Sequence, residues 1–254
     1  MYVNRNYRES LIGKNLKSFR VSVKETDLHI SVDTGSYVPE LEKKAEKQVI
    51  SLRYDLDRYI SLDPEFKTTL RPHALAPGAP LIAENMAWAA NTAGIGPMAA
   101  VAGAFAEYIG RELLKTVREV IVENGGDIFM SAAEKRLVAI FAGTSPFSNR
   151  IAVEVPVQSM PVGICTSSGT IGPSLSFGQA DAAVIIAKSA ALADAVATAA
   201  CNEVHGPKEV KKGIVLASGI PGVMGAVIIK DDQLAAWGDI NLVPVNSFNG
   251  NKIF

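Results

Sequence analysis

Histidine and cysteine, on which most transition-metal and proton-transfer sites are built, are scarce, with three and two in 254 residues. Cys165 and Cys201 alone make neither a disulfide framework nor a cysteine metal site, so buried thiols and a reducing compartment are expected. Charge of one sign is missing as well. Lys and Arg number 25 against 26 Asp and Glu, a formal net charge of -1. Beyond the short cluster at 208–212, which reads as a solvated loop, no basic stripe is present, and nucleic acid and membrane surfaces are excluded as main partners. The opening MYVNRNYRESLIGKN has no apolar h-region and no cleavage site, so no export signal is expected and the cytoplasm is the expected location. Residues 85–106 are uncharged, but Asn91, Gly94, Gly96 and Pro97 suit a buried loop leading into a tightly packed helix better than a membrane span. The phosphate fingerprints are absent too: there is no Walker lysine and no strand followed by G-x-G-x-x-G.

Apolar residues make up 48% of the chain, enough for the core of one large domain or two small ones. Phe19, Val21 and Val23 alternate with polar residues, and after a turn Leu28, Ile30 and Val32 alternate again, which predicts a hairpin with one wet face. Leu41, Ala45, Val49, Leu52, Leu56 and Ile60 recur at helical spacing, predicting an amphipathic helix that ends before Asp63-Pro64. Residues 70–80, with three prolines and a glycine, predict a loop. A second helix follows at about 98–116, whose small residues Ala99, Ala100, Ala102, Gly103 and Ala106 let something approach its backbone. Strands are predicted at 117–123, 128–130, 137–142, 151–157, 163–166, 182–187, 213–218, 225–229 and 234–237, with a helix at 188–201. The order is β-β-α-α-β-β followed by a second set of strands around the late helix. This is an α+β class, a single domain over 1–254 that divides into two similar halves at about 1–145 and 146–254.

Three motifs could carry chemistry. Asp194 and Thr198 stand four apart in a stretch almost free of polar side chains, so on a helix they share a face and could meet one hard cation such as Mg²⁺. Either could instead bond its own backbone or cap a neighbour. Asn124-Gly125-Gly126-Asp127 forms a strand-turn-strand signal that needs no ligand to explain it; Asp127 could orient an attacking hydroxyl or cap its own turn. The hydroxyls and amides of residues 167–172 suit phosphate oxygens and suit an ordinary loop equally.

Together these pieces resemble the ApbE-like superfamily, whose best-known members are magnesium-dependent flavin transferases that move FMN from FAD onto a protein Thr or Ser. The resemblance covers most of the chain. Asn124-Gly125-Gly126-Asp127 is similar to the family's N-x-G-G-D turn, Thr166-Ser167-Ser168-Gly169 to its T-S-G loop, and Ala193-Asp194-Ala195-Val196-Ala197-Thr198 to its A-D-A-x-x-T helix. The resemblance implies paired T-fold-like units with the site between them. It implies Asp194 and Thr198 as Mg²⁺ ligands, together with a backbone carbonyl near the family's K-G segment. It also implies FAD or a related nucleotide lying across Asn124, Gly125, Gly126, Thr166, Ser167, Ser168 and Gly169.

Two positions depart from the pattern. Ala102-Gly103-Ala104 stands where the family has K-G-Y, and only eleven residues separate Gly169 from Asp181, with no H-x-x-D-P motif among them. The chain is most similar to a shorter, cytoplasmic ApbE-like branch of archaea and anaerobic bacteria, with Tyr7-Arg8, Glu25-Thr26-Asp27-Leu28 and Trp237-Gly238-Asp239 resembling its usual features. That branch has been associated with sulfide assimilation toward homocysteine. Two functions are therefore expected in competition. One is a metal-assisted transferase or hydrolase acting on a flavin or other diphosphate-containing ligand. The other is a non-catalytic ligand-binding or sulfur-handling accessory protein, in which Cys165 or Cys201 carries a persulfide. Short terminal strands and the high apolar fraction further suggest a homo-oligomer.

Overall fold

The computed structural model describes residues 15–171 and 175–245 and the backbone of 252–253; Tyr7, Arg8 and Gly172 lie outside them. The predicted hairpin forms as β1 (Leu16–Val23) and β2 (Thr26–Asp33), and the amphipathic helix as α1 (Glu40–Leu62). After a single turn, α2 (Glu65–Thr68), come α3 (Leu81–Ala93), α4 (Val101–Leu113), β3 (Val120–Asn124) and β4 (Asp127–Ser131). Strands β5 (Arg136–Ala139) and β6 (Ile151–Val155) precede β7 (Val162–Ser167), β8 (Ala182–Ala187), α5 (Ala190–Asn202) and α6 (Val210–Ser218). The described chain closes with β9 (Val223–Lys230), β10 (Gln233–Gly238), β11 (Asn241–Pro244) and β12 (Lys252–Ile253).

Eight strands make one antiparallel sheet in the order β1-β2-β3-β4-β7-β8-β9-β10. Two strands, intervening helices and two more strands thus occur twice along it. Strands β5 and β6 leave this plane and pair in a smaller sheet ordered β11-β6-β5-β12. The helices cover one face of the large sheet and the small sheet covers the other. Period-two alternation follows: Phe129, Cys165, Ile185 and Ile228 pack with the helices, while Ile128, Ile164, Val184 and Val227 pack toward the small sheet. Coverage of both faces explains why all six residues of β8 are buried.

Two predicted elements need correction. Residues 81–93 belong to α3 rather than to a loop. The helix starts after Pro80 and ends at Gly94, whose φ of 76° supplies the left-handed stop. The apolar run at 213–218 is part of helix α6, not a strand, and the basic cluster at 208–212 is not a loop, since a 3-10 turn over Pro207–Glu209 is followed by α6 from Val210. Val210, Gly213 and Ala217 recur at helical spacing and are its buried residues. Among the described residues no helix is long and apolar enough to cross a membrane.

Asp33 ties the end of β2 to the start of β3. Its Oδ1 accepts from Ser36 N at 2.9 Å, and its Oδ2 accepts from Arg118 N at 3.0 Å and Glu119 N at 3.2 Å. Burial opposes the charge, but the hydrogen bonds from Ser36, Glu119 and Arg118 outweigh it and hold the carboxyl below its usual range. A depressed folded pKa gives stability that is present above the unfolded value near 4 and lost as pH falls through the folded one. Asp33→Ala is accordingly expected to cost about 2 kcal/mol at neutral pH, a gap that narrows in urea titrations repeated below about pH 4. A gap independent of pH would remove the charge from this account.

Candidate functional site

The candidate site is built on α5, the most enclosed helix of the fold. Its alanines permit close contact on every side, and what approaches the small residues of α4 is α5 itself. A side chain at Gly103 would overlap the Ala190 carbonyl, and one at Gly163 on β7 would overlap the Ala190 backbone from the opposite side. The first turn of α5 is closed by two residues. Ser189 Oγ accepts from Leu192 N at 3.3 Å and donates to Glu107 Oε2 at 2.8 Å. That same Glu107 oxygen, reaching from α4, accepts from Ala190 N at 2.7 Å and Ala191 N at 3.3 Å. A carboxylate on exposed helix amides also complements the helix dipole.

This clamp fixes Asp194 one turn along. Asp194 is buried, and its Oδ2 accepts from Gly103 N at 2.8 Å. Asp127, also buried, begins β4 and approaches both Asp194 and the Cys165 thiol of the neighbouring strand. Burial first, and then the charge of Asp127, pushes the Asp194 carboxyl well above the usual carboxylate range; the Gly103 and Ala102 amides pull the other way and do not prevail. The Cys165 thiol, which donates to the Ala190 carbonyl at 3.3 Å, is likewise pushed well up by burial and by the charges of Asp127 and Asp194.

Most of the sequence-predicted residues converge here. Asn124 Nδ2 donates to the Ala102 carbonyl at 3.1 Å, which places the β3–β4 turn against the amide ladder that holds Asp194. Gly125 and Gly126 have φ of 72° and 112°, and a Cβ at Gly126 would stand 3.9 Å from the Thr166 carbonyl, so the two predicted loops are adjacent. Thr198 Oγ1 lies 3.5 Å from Ser167 Oγ, linking α5 to β7. Ser168 and Gly169 are turned to other work. Ser168 Oγ accepts from Thr170 N and Ile171 N at 3.2 and 3.1 Å, and Gly169 N donates to the Ala180 carbonyl at 2.9 Å. Among the described residues no group of three or more His, Cys, Asp or Glu is placed to hold a metal ion. An ion here would draw on Asp194, Asp127, hydroxyls and water. That donor set is all oxygen and anionic, and it fits a hard divalent cation.

Two participants were not foreseen. Glu107 finds its partners 82 to 84 residues later in the chain. Asp181, buried, accepts from Thr170 Oγ1 at 3.0 Å and Asp231 N at 2.7 Å and pairs with Lys230 at 3.3 Å, so it ties the 166–171 loop to the β9–β10 turn. His73 Nε2 lies 2.7 Å from Asp63 Oδ2, pinning the 70–80 loop to the end of α1.

A family model described as AbpE bacteria matches residues 8–215. The chain is also 41% identical over 218 residues to a UPF0280 protein of Methanosphaerula palustris, covering 85% of this chain and 89% of that one. With a UPF0280 protein of Methanosarcina barkeri it shares 39% identity over 221 residues, 86% and 85% of the two chains. The chain belongs to this ApbE-like family. Among solved structures it is similar to the apo flavinyl transferase ApbE of Pseudomonas stutzeri, with a TM-score of 0.52 and 14% identity over 89% of this chain and 95% of that one. A histidine-to-glycine mutant of the Vibrio cholerae flavin transferase ApbE gives 0.54 and 12% over 87% and 96%. At such identity the likeness establishes the ApbE fold.

Cys165 and Cys201 are both buried. Burial also raises the Cys201 thiol against the hydrogen bond from Ser176. Neither thiol of the native protein is expected to react with an aromatic disulfide reagent at less than about a thousandfold protection relative to denatured chain. Rapid labelling without denaturant would contradict this burial.

Proposed function

We propose that this ApbE-like protein binds a divalent cation and a diphosphate-containing ligand of the flavin nucleotide class, and that it catalyses metal-assisted transfer or hydrolysis at the diphosphate. One observation carries the reading: Asp127 and Asp194 are both buried, and after burial itself the charge of Asp127 is what most opposes the charge of Asp194. Without a cation such a pair is a liability to folding. Mg²⁺ would be held by Asp194 and Thr198, with Asp127 beside them, and when bound it supplies Lewis-acid neutralisation of charge on a bridging phosphate oxygen.

The residues have separate roles. Gly103 N, donating to Asp194 Oδ2, fixes the orientation of the carboxylate that would meet the ion. Gly126 keeps a side chain away from the ground beside Thr166, where phosphate oxygens would lie. Asp127 orients the attacking hydroxyl. Ser167 and Thr198 add hydroxyl donors, whereas Ser168 and Gly169 hold the loop in shape. The same reading carries a small-molecule partner rather than nucleic acid or membrane, a homo-oligomer, and a cytoplasmic location. A persulfide-carrying role has less support, because both thiols are buried and pushed away from the reactive thiolate.

The test is thermal stability against Mg²⁺ or Mn²⁺, with and without FAD. At a hundred times the dissociation constant, binding adds about 2.7 kcal/mol to stability. Asp194→Ala is expected to abolish the shift and Thr198→Val to weaken it less, a hydroxyl contributing less than a carboxylate. No shift in the wild type with any of these additions would end the metal reading of α5.

A further inference from the structure

Beyond the 166–171 loop, the chain is fastened to the C-terminal end of α5. Ser176 Oγ donates to Asn202 Oδ1 at 2.9 Å and lies 3.1 Å from Cys201 Sγ, and Phe177 N donates to the same Asn202 oxygen at 2.8 Å. Gly178 N donates back to Ser176 Oγ at 3.2 Å, and Gln179 N donates to the Val204 carbonyl at 2.6 Å. A side chain at Gly178 would overlap the Cys201 carbonyl. The backbone is thus held by side-chain, main-chain and steric contacts together. Yet Leu175 and Phe177 on this fastened segment are 64% and 60% exposed. Two large apolar side chains therefore stand in water on a support that cannot easily withdraw them.

Their position matters because of which residue holds them. Asn202 follows Thr198 by four residues and Asp194 by eight, so the three lie along one side of α5. A rise of about 1.5 Å per residue puts Asn202 about 6 Å beyond Thr198 along the helix. Ser167, whose hydroxyl meets Thr198, also lies beside the Cys201 thiol that Ser176 contacts, so the 166–171 loop and the fastened segment border the same end of the helix.

We infer that Phe177, with Leu175 beside it, is the apolar wall against which the planar ring system of the ligand rests, making it the residue that selects a flat aromatic nucleotide over a bare diphosphate. The inference depends on the site reading given under Proposed function. Aromatic side chains offer a π-face to any flat ring, and their removal weakens such stacking substantially. A rigid backbone lowers the ordering cost of the contact.

Full-length protein with saturating Mg²⁺ would be titrated calorimetrically with FAD and, separately, with inorganic pyrophosphate. Phe177→Ala is expected to weaken FAD roughly ten- to a hundredfold while leaving pyrophosphate affinity and the melting temperature of the free protein unchanged; Phe177→Trp should retain FAD. Equal FAD affinity in wild type and Phe177→Ala would overturn the wall while leaving the site reading intact. Binding of pyrophosphate but not FAD by the wild type would also overturn it. If the wild type binds neither, the site reading fails, and the wall fails with it.

Discussion

Alanine at Gly163 is expected to destabilise the protein by about 3 kcal/mol or more, and valine there to prevent folding. Overpacking in a core ordinarily costs about 1–3 kcal/mol because side chains can turn aside. Here the added Cβ meets the Cα and amide nitrogen of Ala190, which can yield only if α5 lifts from β7 or presses into α4. Movement toward α4 is blocked by Gly103, whose own added Cβ would strike the Ala190 carbonyl. A domain of this kind has about 5–15 kcal/mol of total stability, so the larger substitution exhausts much of it. Gly206, with no atom within 4 Å of its added Cβ, provides the control. Urea midpoints for Gly163→Ala and Gly206→Ala decide the matter, and similar midpoints would refute the three-layer contact.

Asparagine at Asp194 is expected to do the opposite in metal-free protein, raising stability by about 2 kcal/mol at neutral pH. The amide oxygen can keep the bond from Gly103 N, while burial of a charge and its repulsion with Asp127 disappear. For a carboxyl whose folded pKa is raised, the native state gains stability below the unfolded value near 4, and that gain is lost as pH rises through the raised folded value. Wild-type stability in chelator should therefore decline from about pH 4 upward, and the Asp194→Asn curve should be flatter. Adding Mg²⁺ should restore the wild type and leave the variant unmoved. A variant less stable than wild type in chelator would show that the carboxylate is satisfied by protein groups alone.

Legibility in the sequence tracked how local the deciding force was. The β1–β2 hairpin was readable because alternation at Leu28, Ile30 and Val32 marks one buried face. The run at 213–218 was not, because a short β-branched segment fits a strand equally well until the fold shows that a Cβ added at Gly213 would stand only 2.9 Å from the Ala200 carbonyl. Helix α3 was missed for a related reason: Gly94, Gly96 and Pro97 lie just past its end and were read as belonging to the whole stretch. In the candidate site, Asp194, Thr198, Asp127 and the Gly125–Gly126 turn could be singled out because each pattern rests on spacing within a few residues. Glu107 left no such trace. Its surroundings on α4 are those of any exposed helix carboxylate, and its meaning comes only from the start of α5 across the fold.

Glu107 has a consequence for how recognition could change over time. Because α5 is anchored at its first turn by one carboxylate and at its last by Asn202, it is a fixed rod with adjustable surroundings. Substitutions in the segment fastened to Asn202 alter what the rod meets without altering where it stands. A lineage could therefore exchange one ligand for another through a handful of rim residues, keeping the same interior and much of the same thermal tolerance throughout.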